Sequence, residues 1–429
     1  MSRIRIHGGR VIDPESGRDG PAEVLIADGR ILSVGESPTD LVVDLEIDAS
    51  GQIVCPGLID LATRLGEPGA EHKATIASET RAGAAGGITT LACLPDTNPV
   101  MDTPSVVELM HRRAEEAGSA RVLPLGALTL GLAGERLSEM VALQQAGCAA
   151  MTDGGRAVRD TLVLQRALEY AATFAIPVLL TPADPWLSQA GYLHEGIVAT
   201  RLGIPGIPAA AEIAELGRSL ALVAEIRGPT HFGRLSAREG VELIARAQSS
   251  GLPVTADVAI HQLFLTETDC AEFDPRFHLR PPLRGIADRK ALRAALVDGT
   301  IGVICSDHQP HDPDAKDGPF ATTEPGACGV DTLLSLLLRL IEENVFSLRQ
   351  GLACVTINPA RILGLESGRL RPGAPADICI FDPDAVWWCT PETLRSQAKN
   401  SPFLGWELPG RVSYTLVGGR VIHCHDNPL

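Results

Sequence analysis

Between residues 52 and 306 the chain repeats one pattern: a short, nearly continuous apolar run, then a longer segment with helical spacing. The runs fall at 52–62, 87–95, 120–129, 147–152, 176–181, 230–235, 252–259 and 300–306. Helical segments are predicted at 104–117, 162–174, 209–226, 237–250 and 288–297. Strands buried on both faces read as unbroken apolar runs, so alternation of this kind predicts a parallel (β/α)8 barrel of the TIM type, an α/β fold. A doubly wound open sheet is the alternative, but no glycine-rich nucleotide turn follows the first run.

The two ends follow a different rhythm. Residues 1–51 alternate polar and apolar positions, starting with Met1-Ser2-Arg3-Ile4-Arg5-Ile6, and carry the turn dipeptides Gly8-Gly9 and Asp28-Gly29. Residues 368–429 behave likewise, with Val412-Ser413-Tyr414-Thr415-Leu416-Val417 before Gly418-Gly419. Such alternation marks antiparallel strands with one buried face. The expected organisation is therefore a barrel over 52–367 flanked by two halves, 1–51 and 368–429, of one small β-sandwich.

Charge and cysteines narrow the class further. A formal net charge of −16 argues against nucleic acid or an anionic membrane as partner. Ten cysteines are scattered without a CxxC pair, several inside apolar runs, which predicts buried thiols in a reducing cytoplasm. No apolar stretch is long enough to span a membrane, and the first residues read as a strand rather than a signal peptide.

Several short motifs then appear in a fixed order: Pro56-Gly57-Leu58-Ile59-Asp60, Glu67-Pro68-Gly69, Gly86-Gly87-Ile88-Thr89-Thr90 and Leu94-Pro95-Asp96-Thr97-Asn98-Pro99. Later come Pro281-Pro282-Leu283-Arg284, Ser306-Asp307-His308-Gln309-Pro310-His311, Asn358-Pro359-Ala360 and Pro372-Gly373-Ala374-Pro375-Ala376-Asp377. From Gly9 to Val421 the series resembles the dihydroorotase family of the amidohydrolase superfamily. That resemblance implies a barrel with a sandwich from both termini. It also implies zinc at the C-terminal mouth of the barrel, which lowers the pKa of bound water and so supplies hydroxide for opening a cyclic amide.

At the positions where the resemblance implies imidazole ligands, this chain has none. The His-x-His after the first strand is replaced by Ala62 and Arg64, the His after the fifth by Thr181, and the second His after the sixth by Arg234. A methyl group offers no lone pair, and a guanidinium is a donor only. Asp153 and Asp307 remain from the implied set, too few for a catalytic zinc. The substrate contacts implied by the family differ as well: Gly66 stands for an arginine, Asp96 for asparagine, and Arg280 for asparagine. Asp96, Asn98, His308, His311 and Arg280 are the candidates for a remnant pocket. Arg64 or Arg234 is expected to pair with Asp307 or Asp153 in place of the metal. His231, His261, His308 and His311 are expected to be hydrogen-bonded structural histidines, and Cys305 and Cys328 packing residues.

The sequence is closest in character to the noncatalytic dihydroorotase-like subunits of bacterial aspartate transcarbamoylase. That resemblance implies no bound zinc, no catalytic residue (Asp307 being a residual family position), and a structural role in a large hetero-oligomer with the transcarbamoylase catalytic chain, with homo-oligomeric contacts besides. Two other functions stay open: an active zinc-dependent cyclic amidohydrolase with atypical ligands, and a binding protein that senses a ligand.

Overall fold

The structure is a computed structural model that describes residues 3–35 and 42–425. Met1, Ser2 and the last residues of the C-terminal segment therefore lie outside the described residues.

Each of the eight apolar runs contains a barrel strand. In chain order the strands are Leu58–Thr63, Ile88–Cys93, Arg121–Pro124 continued by Gly126–Ala127, Met151–Thr152, Val178–Leu180, Thr230–Phe232, Val254–Ala259 and Val303–Cys305. Every neighbouring pair is parallel. The third strand passes from one arc of the sheet to the other at Leu125, whose N–H bonds Cys93 O while the next N–H bonds Ala150 O. The last strand returns to the first through a parallel bridge between Thr63 and His308. The Asp60 carboxylate accepts the Ser306 N–H at 3.0 Å beside it.

Helices follow the strands where the spacing predicts them: Pro104–Ala117, Thr161–Thr173, Ala210–Ile226, Arg238–Ser249 and Ile286–Asp298. Their apolar stripes (Val106, Val107 and Met110 on one; Val241, Ile244 and Ala247 on another) close over the outside of the strands. All ten cysteines are free and buried.

The terminal segments build two further sheets. One has four strands in the order Arg30–Gly35, Glu23–Ala27, Arg3–His7, Leu45–Asp48. The other has six, in the order Arg420–Cys424, Glu407–Val417, Ile378–Trp388, Ile53–Pro56, Arg10–Asp13, Arg18–Pro21. Ile4, Ile6, Val24 and Ile26 from the first meet Val11, Val54, Ile378 and Ile380 from the second in a core of their own.

One boundary moves. The run at 52–62 holds two strands in two different bodies. Ile53–Pro56 pairs antiparallel with Ile378–Phe381 and parallel with Arg10–Val11, in the sandwich, whereas Leu58–Thr63 is the first barrel strand. Gly57 is the junction. A Cβ there would lie 2.1 Å from Thr89 Cγ2, so the two bodies approach too closely for any side chain. Both strands are wholly buried, which fuses them into one apolar run in the sequence.

Candidate functional site

The barrel strands deliver their C-terminal ends to a cavity of about 760 Å³, walled by Arg64, Asp96, Thr181, Arg234 and Arg280 among others. These are five of the eleven expected site residues, and the residues at the mouth divide into two groups that do different things.

The first group forms the cavity floor and the layer under it. Arg234, after the sixth strand, is 5% exposed and points its guanidinium across the barrel axis. Nη1 donates to Asp307 Oδ1 at 3.1 Å, and Nη2 donates to Gly154 O at 2.9 Å and to the Thr181 hydroxyl. Burial acts to lower its pKa, but the surrounding negative groups, Asp307 first among them and Asp257 besides, together raise it. One arginine therefore ties together the ends of strands four, five, six and eight. Both partners hold left-handed backbone, with φ of 60° at Arg234 and 49° at Asp307. For residues with a side chain that conformation costs about 1–2 kcal/mol each, so the surrounding bonds must hold it in place. The Arg234 N–H adds one such bond, to Asp257 Oδ1 at 2.6 Å.

Asp257 belongs to the same layer. Its Oδ2 receives His231 Nε2 at 2.7 Å, while His231 Nδ1 meets the Thr255 hydroxyl at 2.8 Å. Burial would raise the Asp257 pKa, yet the His231 bond and charge hold it below the ordinary carboxylate range. The Cys305 thiol donates to the same carboxylate at 3.4 Å and is pushed well up by burial. It is no nucleophile in this setting. His261 lies close by with Nε2 unpartnered, and burial lowers its pKa to about 4.

Asp153 does not face Asp307. It is buried and turns back to the end of the third strand, accepting the N–H groups of Leu128 and Thr129 at 2.9 Å each and the Thr129 hydroxyl at 2.6 Å. The Leu128 N–H is shared with Thr152 O at 3.2 Å, whereas the Thr129 N–H has no backbone acceptor among the described residues and draws the carboxylate toward it. Burial raises its pKa.

The second group forms the rim. Arg64 pairs with Asp96 rather than with either metal-position aspartate: Nε meets Asp96 Oδ2 at 2.7 Å and Nη1 meets Gln309 Oε1 at 3.2 Å. The reason lies in its position, on the loop just past the first strand and level with Asp96 instead of the floor. Burial would raise the Asp96 pKa, but Arg64 brings it down. Ala62 is buried against the barrel interior and contributes only its methyl group. Arg280 lines the opening and donates to Gly191 O at 2.9 Å. Asn98 and His311 lie outside the main cavity, in an adjoining hollow of about 200 Å³ that shares Arg64 and Asp96 with it.

His308 is hydrogen-bonded as expected of a structural histidine, but as a pocket residue it is a correction. Expected to face the mouth, it is fully buried behind the rim, with Nε2 on Glu79 at 2.9 Å and Nδ1 accepting the Gly329 N–H at 3.2 Å. Glu79 is anchored by the Ser396 hydroxyl at 2.6 Å and by the Gln397 N–H at 3.1 Å, so it draws the ring away from the cavity. Cys328 lies in this buried cluster, donating to Asn400 Oδ1 at 2.9 Å, and is a packing residue.

Residues 51–239 match the family model described as dihydro-orotase-like, and residues 232–422 match the amidohydrolase family model. A dihydroorotase-like protein from Pseudomonas aeruginosa is 47% identical over 420 residues, covering 98% of this chain and 99% of its own. This chain belongs to the dihydroorotase-like family of amidohydrolases. A second dihydroorotase-like protein, from Pseudomonas putida, is 45% identical across 98% of this chain and 99% of its own. A relative from Syntrophotalea carbinolica that bears the name dihydroorotase is 43% identical, with 98% and 99% covered. Among solved structures, the L-hydantoinase of Arthrobacter aurescens superposes with a TM-score of 0.89 at 23% identity, covering 100% of this chain and 98% of its own. The dihydropyrimidinase of Brevibacillus agri gives 0.85 at 22%, covering 100% and 96%. These structures share the TIM-barrel fold.

The zinc that this family implies does not fit the residues present. The mouth offers a methyl group, two guanidiniums and a hydroxyl at the imidazole positions. Asp307 is held by Arg234, and Asp153 by the strand-three end. Among the described residues no three His, Cys, Asp or Glu side chains are grouped so as to hold a metal. Hard or borderline cations need several oxygen, nitrogen or thiolate donors at once, and a fixed guanidinium in their midst repels them.

Arg156, Arg159 and Arg284 also line the cavity, and little in the sequence marks them as site residues. Their only signal there is position, just after Asp153-Gly154-Gly155 and at the end of Pro281-Pro282-Leu283-Arg284.

Proposed function

We propose that this chain is a noncatalytic dihydroorotase homologue, located in the cytoplasm, that serves as a structural subunit for aspartate transcarbamoylase in pyrimidine synthesis. The observation that carries the loss of catalysis is the Arg234–Asp307 pair at 3.1 Å. The family position expected to ligate metal and shuttle a proton is occupied by an ion pair in a buried layer. Removing Arg234 from that layer would leave an uncompensated charge, so the pair is the ground state and not a passing contact. Without a metal to acidify it, water at the mouth keeps its ordinary pKa and attacks a ring amide only slowly.

Two facts support a structural role in place of the chemistry. The barrel frame is intact, with eight parallel strands and a full sandwich, while the imidazoles are gone. The ten free thiols, all buried, suit a reducing compartment. The partner itself rests on the likeness of the chain to noncatalytic subunits of that enzyme.

Co-expression with the transcarbamoylase catalytic chain, followed by native mass measurement, tests the assembly role. One hetero-oligomer containing both chains is expected, with transcarbamoylase activity dependent on it. Metal analysis and a dihydroorotate hydrolysis assay on the same preparation should give substoichiometric zinc and no turnover. Stoichiometric metal with ring opening would establish an active amidohydrolase and end the reading, as would a transcarbamoylase fully assembled and active alone.

A further inference from the structure

Six arginines face the mouth cavity: Arg64, Arg156, Arg159, Arg234, Arg280 and Arg284. Two carboxylates, Asp96 and Glu212, share it. Both are already engaged. Asp96 holds Arg64, and Glu212 accepts the Ser236 hydroxyl and N–H and the Ala237 N–H. The cationic surplus is local, because the whole chain carries a formal charge of −16. An acidic protein repels small anions over most of its surface, and a concave cationic site in it concentrates the field where an anion can enter.

The donors also converge. Arg64 has committed Nε and Nη1, but its Nη2 makes no hydrogen bond among the described residues. A Cβ on Gly155 would stand 3.7 Å from Arg64 Nη2 and 4.0 Å from Arg234 Nη2. The bare backbone of Gly155 thus keeps open the space onto which both guanidiniums look. At the opening, the Arg156 guanidinium has no hydrogen bond or ion pair among the described residues. Arg280 has one backbone carbonyl and no carboxylate, and Arg159 stacks 5.1 Å above the Trp186 ring. A planar guanidinium presents paired N–H groups matched to oxyanions, and phosphate accepts from several at once.

We infer that the barrel mouth binds a small phosphate-bearing molecule, with its oxyanion above Gly155 against Arg64 and its remaining charge against Arg156 and Arg280. Arg156, Arg159 and Arg280 line the same cavity in addition to the two guanidiniums at Gly155. That arrangement suits an anion with several charges and many oxygens better than a single carboxylate. The volume of about 760 Å³ falls in the range of small-molecule sites. No bond is made or broken. Binding belongs to this chain alone and does not require the assembly role.

The test uses the full chain without partner, at physiological salt, with inorganic pyrophosphate as probe and calorimetry and thermal unfolding as readouts. Citrate and sodium chloride at matched ionic strength are the comparison arms. Pyrophosphate should bind at one saturable site and raise the unfolding temperature, with citrate weaker and chloride without effect. Arg156→Gln and Arg280→Gln, both at exposed positions that leave the fold intact, should each weaken binding about tenfold, the ordinary loss for one charge-assisted contact. Arg371→Gln, exposed on the sandwich side, should leave it unchanged. The inference is overturned by a shift that chloride reproduces, by citrate binding as tightly as pyrophosphate, or by affinity indifferent to both mouth substitutions.

Discussion

A single guanidinium, that of Arg234, ties four strand ends together at the barrel mouth, and its contribution can be measured. Arg234→Met preserves chain length and backbone demand but leaves Asp307 buried and unpaired. Breaking a buried pair in this way costs about 3–5 kcal/mol. Adding Asp307→Asn to the same chain removes the stranded charge and should recover more than half of that loss in urea titrations. If the double variant is no more stable than Arg234→Met, the pair is not what holds the mouth. The histidines give a second signature. Burial pushes His261, His311 and His423 each down to about 4. They stay neutral in the folded chain while the unfolded chain takes up protons near its ordinary histidine pKa, so the stability they confer is full above about pH 6.5. It is lost as the pH falls through about 4. Asp60 and Asp331, raised to about 6 by burial, work in the opposite sense and soften the slope. His261→Gln should flatten the decline between pH 6.5 and 4 by on the order of 3 kcal/mol, read from urea melts across that range. An unchanged slope would show that His261 protonates freely.

At the scale of elements, the tightest joint is Gly57, between the sandwich strand Ile53–Pro56 and the barrel strand Leu58–Thr63. Gly57→Ala drives a methyl group into buried Thr89, with 2.3 Å to its Oγ1. Overpacking of this kind costs about 1–3 kcal/mol, seen as a lower denaturant midpoint, whereas Gly20→Ala, with open space around it, should change little. The same joint shows what a sequence can and cannot reveal. Eight strands were legible because parallel strands are apolar on both faces, and the long helices because their stripes recur at helical spacing. The division at Gly57 was not legible, since both strands are buried and no polar position separates them. Nor was the excursion between the fifth and sixth strands, which consists of two short helices, Pro185–Ser188 and Ile197–Leu202, and the two-residue strands Leu193–His194 and Gly206–Ile207. Elements so brief carry no periodicity. At the mouth, the exchange of imidazole for arginine was visible residue by residue. The choice of partners was not, because it depends on rim height: Arg64 sits level with Asp96, Arg234 reaches the floor, and Asp153 is claimed by the N–H and hydroxyl of Thr129.

For the whole molecule, the sandwich draws both ends of the chain into one sheet. Val54 lies opposite Ile380, and Val11 lies beside Val54. During synthesis the strand Ile53–Pro56 leaves the ribosome early, and its antiparallel neighbour Ile378–Trp388 arrives only after the entire barrel has been made. At ordinary translation speeds the wait is roughly 15–60 s. Throughout that interval an apolar strand edge stands uncovered next to a nascent barrel, long after hairpins and helices have had time to form. Premature termination anywhere before residue 378 would leave the edge permanently bare, making truncated chains of this length substrates for chaperones and proteases instead of smaller working proteins.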